Sequence, residues 1–126
     1  MITKDITLCG KPVVLAYNYA AEIAYEDMAG EDIIEYVKHV VEKVKEEKDP
    51  SIKKTINAVR ACMQAYCDAK GTEVPLTEKE IREGMTPAEN ATAFLSIVQM
   101  RSDFYYFPKG EPKDKPGKST KKSKNA

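Results

Sequence analysis

The stretch ITLCGKPVVLAYNYAAEIAYEDMAG, residues 6–30, decides the fold. Ile6 and Leu8 alternate with Thr7, and Val13, Leu15 and Tyr17 alternate with Val14 and Ala16, the period-2 pattern of half-buried strands. Between them Cys9-Gly10-Lys11-Pro12 predicts the turn of a β-hairpin, with Gly10 at positive φ and Pro12 tolerated at a strand start or edge. The period then changes: Asn18 predicts the N-cap of a helix from Tyr19 to Met28, and Gly30 predicts its stop. Two strands alone are marginal in water, so this hairpin needs helices over its apolar face.

Those helices follow. From about Asp32 to Lys48, Ile33, Ile34, Val37, Val40, Val41 and Val44 make one stripe of helical spacing, with lysines at 43, 45 and 48 suited to the C-terminal dipole and Asp49-Pro50 ending the helix. Ser51 caps a third helix to about Lys70, before Gly71. Its Ile52, Ile56, Val59, Met63 and Tyr66 form one stripe, while Ala58, Ala61, Ala65 and Ala69 form a second, small enough for another helix to approach closely. After Leu76, Thr77-Glu78-Lys79-Glu80 predicts a capping box for a short helix ending near Gly84. Thr86-Pro87-Ala88-Glu89 repeats the signal for a last helix from about Pro87 to Asp103. On that helix Ala91, Phe94, Leu95 and Val98 gather on one side and Ala93, Ile97, Met100 and Phe104 roughly opposite. Either it is central in the bundle or one side meets another chain.

The fold class is therefore α+β, mostly α: an N-terminal β-hairpin packed on a bundle of about five helices, within one domain at residues 1–107. The remainder, 108–126, is a different material. Seven lysines face only Glu111 and Asp114, a net of +5, so the domain carries −5 and the whole chain is neutral. With Pro108, Pro112 and Pro116, two glycines and no apolar residue but Ala126, the tail is expected to be disordered. No apolar run reaches the roughly 18 residues of a membrane span. MITKDITLCG lacks the features of a secretory signal, which predicts a cytoplasmic protein that keeps its start. Three cysteines without a CxxC fit a reducing compartment.

The hairpin, the Asn-capped helix with Glu26 near its end and a glycine after it (NYAAEIAYEDMAGEDI, residues 18–33), and the amphipathic helices before a charged C-terminus resemble the tail assembly chaperones of long-tailed phages and prophages. The resemblance covers Ile6 to Ile34 and extends over Leu76 to Met100, where the LTEKEI helix leads into a longer one. It implies a non-enzymatic protein of the bacterial host cytoplasm that binds a tape measure protein, keeps that long helical chain soluble and helps recruit tail-tube subunits around it.

Residues that could carry chemistry offer little to set against this. Gly117-Lys118-Ser119 imitates the end of a phosphate-binding loop, but Gly110 is misplaced and no strand precedes it. His39, the one histidine, is flanked by Glu35, Glu42 and Glu46 and reads as part of a solvated helix face with an i,i+4 contact, not as a metal ligand. Cys62 and Cys67 lie on different sides of the third helix and are expected to be buried, while Cys9 in the turn is incidental. Glu31-Asp32 and Glu46-Glu47 read as capping and solubility. No catalytic residue, cofactor or metal is expected.

Phe104-Tyr105-Tyr106-Phe107 cannot all face one core from a helix. Either two fold back as a lid, or the run anchors a partner where it leads into the lysines. The expected partner-binding residues are Ile97, Met100, Phe104, Tyr105, Tyr106 and Phe107, with Lys109, Lys113 and Lys115 steering toward an acidic partner. Two other functions compete: a nucleic-acid accessory protein acting through the tail, disfavoured by the acidic body and by a tail without aromatics, and a structural subunit whose two-faced last helix is a homo-oligomer interface.

Overall fold

A computed structural model describes residues 1–107; the expectations placed on the tail, including Lys109, Lys113 and Lys115, lie outside the described residues. The chain runs β1 (Ile2–Leu8), β2 (Lys11–Tyr17), α1 (Tyr19–Ala29), α2 (Ile33–Lys45), α3 (Ile52–Lys70), α4 (Glu78–Gly84) and α5 (Pro87–Tyr106). It is the hairpin and five-helix arrangement that the sequence predicts.

β1 and β2 pair antiparallel from Ile2–Tyr17 to Leu8–Lys11, leaving a two-residue turn in which both Cys9 (φ 54°) and Gly10 (φ 75°) are left-handed. Two such residues in succession make the turn whose twist matches a hairpin. Because Leu8 and Lys11 close the turn, Pro12 falls opposite Thr7 in a pair that exchanges no ladder hydrogen bonds, so its missing N–H costs nothing there. One face of the hairpin buries Ile2, Ile6, Leu8, Val13, Leu15 and Tyr17.

α3 is the central element, not α5. It packs against α1, β2 and α5, and buries residues around its circumference, from Ile56, Val59 and Met63 to Ala58, Ala61, Cys62 and Ala65. Asn18 accepts from the Ala21 N–H at 3.0 Å to start α1, and Gly30 ends it in the left-handed region. α2 stops at Lys45, three residues short of the expected Lys48: Glu47 turns left-handed (φ 59°), its N–H donates to Val44 O, and the Lys48 N–H reaches back to Lys43 O. This is the usual helix-terminating hydrogen-bond pair with glutamate where glycine is favoured, which is why no sequence signal marks it. α5 continues to Tyr106, past the expected Asp103.

Two carboxylates tie distant parts of the chain together. Glu89 closes the α5 capping box by accepting from the Thr86 N–H, and its oxygens also accept from the N–H groups of Cys9 (2.9 Å) and Gly10 (3.1 Å). The hairpin turn thus docks on the α4–α5 corner. Gly84 makes room for it, since a Cβ there would lie 3.0 Å from the Cys9 Sγ. Glu31 does more than the capping role expected of it. It forms a two-pronged ion pair with Lys54 of α3 (2.9 and 2.8 Å) and accepts from the Tyr25 hydroxyl at 2.6 Å, while Asp32 caps α2.

Backbone N–H donors, from Thr86 first and then Cys9 and Gly10, hold the Glu89 carboxyl below the usual glutamate range. Hydrogen bonds from Lys54 and then Tyr25 do the same for Glu31. Carboxyls depressed by folding contribute stability that is present above their unfolded pKa and is lost as pH falls through the lower folded value. Thermal stability should therefore begin to fall near the ordinary glutamate value of about 4.3 and continue falling below it. Glu31→Gln with Glu89→Gln should lower the melting temperature at neutral pH by roughly 5–10 °C and flatten that acid limb. An unchanged limb in the double variant, followed by circular dichroism, would show that other carboxyls govern it.

Candidate functional site

The aromatic run folds back for its first two members. Phe104 packs between Tyr17 (ring centroids 5.6 Å apart) and Tyr19 (5.5 Å, edge-on). Tyr105 is held from three sides: against Phe104 edge-on, under the Arg101 guanidinium at 4.6 Å, and through its hydroxyl, which donates to Glu22 Oε2 at 2.7 Å. The same Glu22 oxygen accepts from the Tyr17 hydroxyl at 2.7 Å. Partial burial, then the hydrogen bond to Glu22, push the Tyr105 hydroxyl up to about 12. The lid reading holds for Phe104 and Tyr105, although the Tyr105 hydroxyl meets a carboxylate, not water alone. Tyr106, 75% exposed, is the most open aromatic of the run, and Phe107 is half-buried.

Ile97 and Met100 require a correction. Both are buried in the core, because the Ala93–Ile97–Met100 side of α5 is the one turned inward against α3 and the hairpin. They are not available to a partner. On the other side Phe94 is buried too, so only Leu95 with half-buried Ala91 and Val98 is left open, and Leu95 is 54% exposed. Periodicity gave two apolar sides to this helix without saying which met its own chain.

α2 leaves a matching strip. Its core residues are Ile33, Tyr36 and Val40, while Val41 (42%) and Val44 (47%) stay exposed beside α5. An apolar stripe this wide exceeds what one buried helix face can use. Val40, Val41, Val44, Leu95 and Val98 enclose an open groove of about 340 Å³, rimmed by Lys45 and Gln99. Lys45 has no carboxylate partner among the described residues, whereas Lys43 and Lys48 both approach Glu46. The sequence supplied a signal for this groove in the excess width of the α2 stripe.

The remaining hollows are walled differently. One of about 400 Å³ between α3 and α4 is lined by Ile52, Lys53, Ile56, Glu78 and Arg82; its Glu78 pairs with Arg82 one turn along α4 (3.3 Å) and with Arg60 of α3 (3.8 Å). Beside it, the buried Asn90 Oδ1 has no hydrogen-bond partner.

The groups able to do chemistry are occupied with structure. His39 is not on a purely solvated face: its Nε2 accepts from the Ser51 N–H at 2.9 Å, joining α2 to the start of α3. Burial raises the Cys62 thiol to about 12. Burial first, then the charges of Glu89 and Glu80, raise that of Cys9, whose S–H donates to the Glu80 carbonyl. Protonated thiols are poor nucleophiles. Among the described residues no group of three or more His, Cys, Asp or Glu side chains could hold a metal ion, and no helix is long and apolar enough to cross a membrane. What the surface offers instead is an open apolar cleft between α2 and α5. No family model, curated protein or solved structure matches the chain.

Proposed function

We propose that the chain is a non-enzymatic binding protein of the phage tail assembly chaperone type, which lays an amphipathic helix of a tape-measure-like partner into the α2–α5 groove and keeps that partner soluble until tail-tube subunits assemble around it. The observation that carries this reading is the groove itself: Val41, Val44 and Leu95 stay exposed side by side on two helices that each have an intact core face. Adjacent exposed aliphatics in a cleft mark an interaction surface more than scattered ones do. A cleft between two helices takes a third helix through anchors spaced i, i+3 or i+4 and i+7. The resemblance of residues 6–34 to the chaperones supplies the partner class.

Coexpression with a tape-measure-like protein from the same genome tests it. The partner's soluble yield should rise with the wild-type chain and return to background with Leu95→Glu, since a carboxylate in the cleft would lose its water without gaining a partner. Affinity for the partner should fall at least tenfold. A partner equally soluble without this chain sinks the chaperone reading. Full activity of Leu95→Glu places the binding surface elsewhere.

A further inference from the structure

α1 carries the complement of the groove on its outer face. Tyr19 and Ile23, one helical turn apart, are 64% and 59% exposed, although the opposite side of the same helix buries Ala21 and Tyr25. Glu26 and Asp27 follow Ile23 at i+3 and i+4, so they flank it on either side. Neither carboxylate has a cation partner among the described residues. α1 is thus an apolar ridge with acidic edges, and the α2–α5 groove is an apolar trough with a free lysine on its rim.

The ridge cannot fill the groove of its own chain. Asn18 and Gly30 hold both ends of α1, and Ala21 and Tyr25 fix its inner face in the core. We propose that the ridge of one copy, Tyr19 and Ile23, docks into the α2–α5 groove of a second copy, with Lys45 of that groove set against Glu26 and Asp27. Such a contact joins two different surfaces, so it is head-to-tail, and a pair of copies retains one free ridge at one end and one free groove at the other. It covers, with one interaction, both sets of exposed apolar side chains that the fold leaves beside unpaired charges.

The contact does not depend on the identity of any other partner. A partner helix and the α1 ridge of a second copy contend for the same trough, so self-association would compete with partner binding. One exposed ion pair and two apolar side chains make a small interface, and association is expected at roughly 0.1 mM, weakening with salt as Lys45 is screened.

Charge exchange on the full chain tests this by sedimentation equilibrium. The wild-type average mass should climb above the 14.1 kDa of a monomer as concentration rises. Lys45→Glu alone, and Glu26→Lys with Asp27→Lys alone, should each raise the dissociation constant about tenfold or more, because each sets like charges across its own contact. Mixed in equal amounts, the two variants should associate as well as the wild type or better: the reversed groove meets the reversed ridge, and the remaining groove and ridge are native. Unchanged melting temperatures of the two variants, whose substitutions are all on exposed residues, separate lost contact from lost fold. The proposal is overturned by a wild-type chain that stays monomeric, by either variant associating like the wild type, or by a mixture that fails to recover. Loss on the groove variant alone would indicate a symmetric groove-to-groove contact instead, and so also overturns it. Partner solubilisation by a strictly monomeric wild type would leave the chaperone reading standing while this contact fails.

Discussion

Ile97→Ala should lower the stability of the domain by about 3 kcal/mol and its melting temperature by roughly 15 °C, whereas Leu95→Ala, two residues away on the same helix, should change stability by less than about 0.5 kcal/mol. Ile97 is fully buried, and removing three of its carbons leaves a cavity that the surrounding core closes only in part. Leu95 stands in the open groove and loses little on truncation, because its side chain is already half in water. The binding effects should run the other way. Leu95→Ala should weaken a helical partner, and Ile97→Ala, in the fraction that remains folded, should not. Urea unfolding of the two variants side by side provides the check. Equal losses of stability would mean that the outer side of α5 is covered and that the groove is not free.

A second large effect should come from the core contact between α2 and α3. The Tyr36 hydroxyl and the Thr55 hydroxyl lie 2.9 Å apart, and both residues are fully buried. Thr55→Val keeps the volume but strands the tyrosine oxygen away from water, which should cost about 2 kcal/mol, or roughly 10 °C. Tyr36→Phe leaves the smaller threonine hydroxyl unpaired and should cost about 1 kcal/mol. The double variant, with neither hydroxyl present, should be less destabilised than the two single changes together, because no buried polar group is then left alone. Strict additivity in denaturant unfolding would show that each hydroxyl has another partner. Tyr36 also packs on Tyr25, at 5.7 Å between ring centroids, so phenylalanine is the substitution that preserves this contact.

The same pair illustrates where reading a sequence stops. Tyr36 lies outside the valine and isoleucine stripe that marks α2, yet it points into the core, while Val41 and Val44 within the stripe do not. A stripe gives the apolar side of a helix, but its angular width exceeds the face that one neighbour can cover. Which part remains open depends on where α5 lies, and that follows from the packing of α5 on the hairpin and α3. The partner residues inferred on α5 failed for the same reason at Ile97 and Met100. Two opposed apolar sides are equivalent until a core claims one of them.

Signals that act within a few residues were legible except at the end of α2, where Glu47 takes the left-handed position that glycine would have marked. The period change between Tyr17 and Asn18 separates hairpin from helix; Asn18, Asp32, Ser51, Thr77 and Thr86 each cap the helix they precede; and Gly10, Gly30 and Gly71 take the positive φ that their turns need. Each depends on backbone hydrogen bonds or steric limits that the adjoining residues satisfy by themselves. Long-range partners were not legible. Glu89 announces a capping box, but nothing near it in the chain reveals that its carboxylate also holds the N–H groups of Cys9 and Gly10, 80 and 79 residues away. His39 on Ser51, Glu31 on Lys54 and Tyr105 on Glu22 belong with it. Local order was thus determined by the sequence alone, because its free energy is settled within a helical turn or a hairpin. The tertiary structure decided which apolar face is core and which is groove, because burial depends on what arrives from elsewhere in the chain.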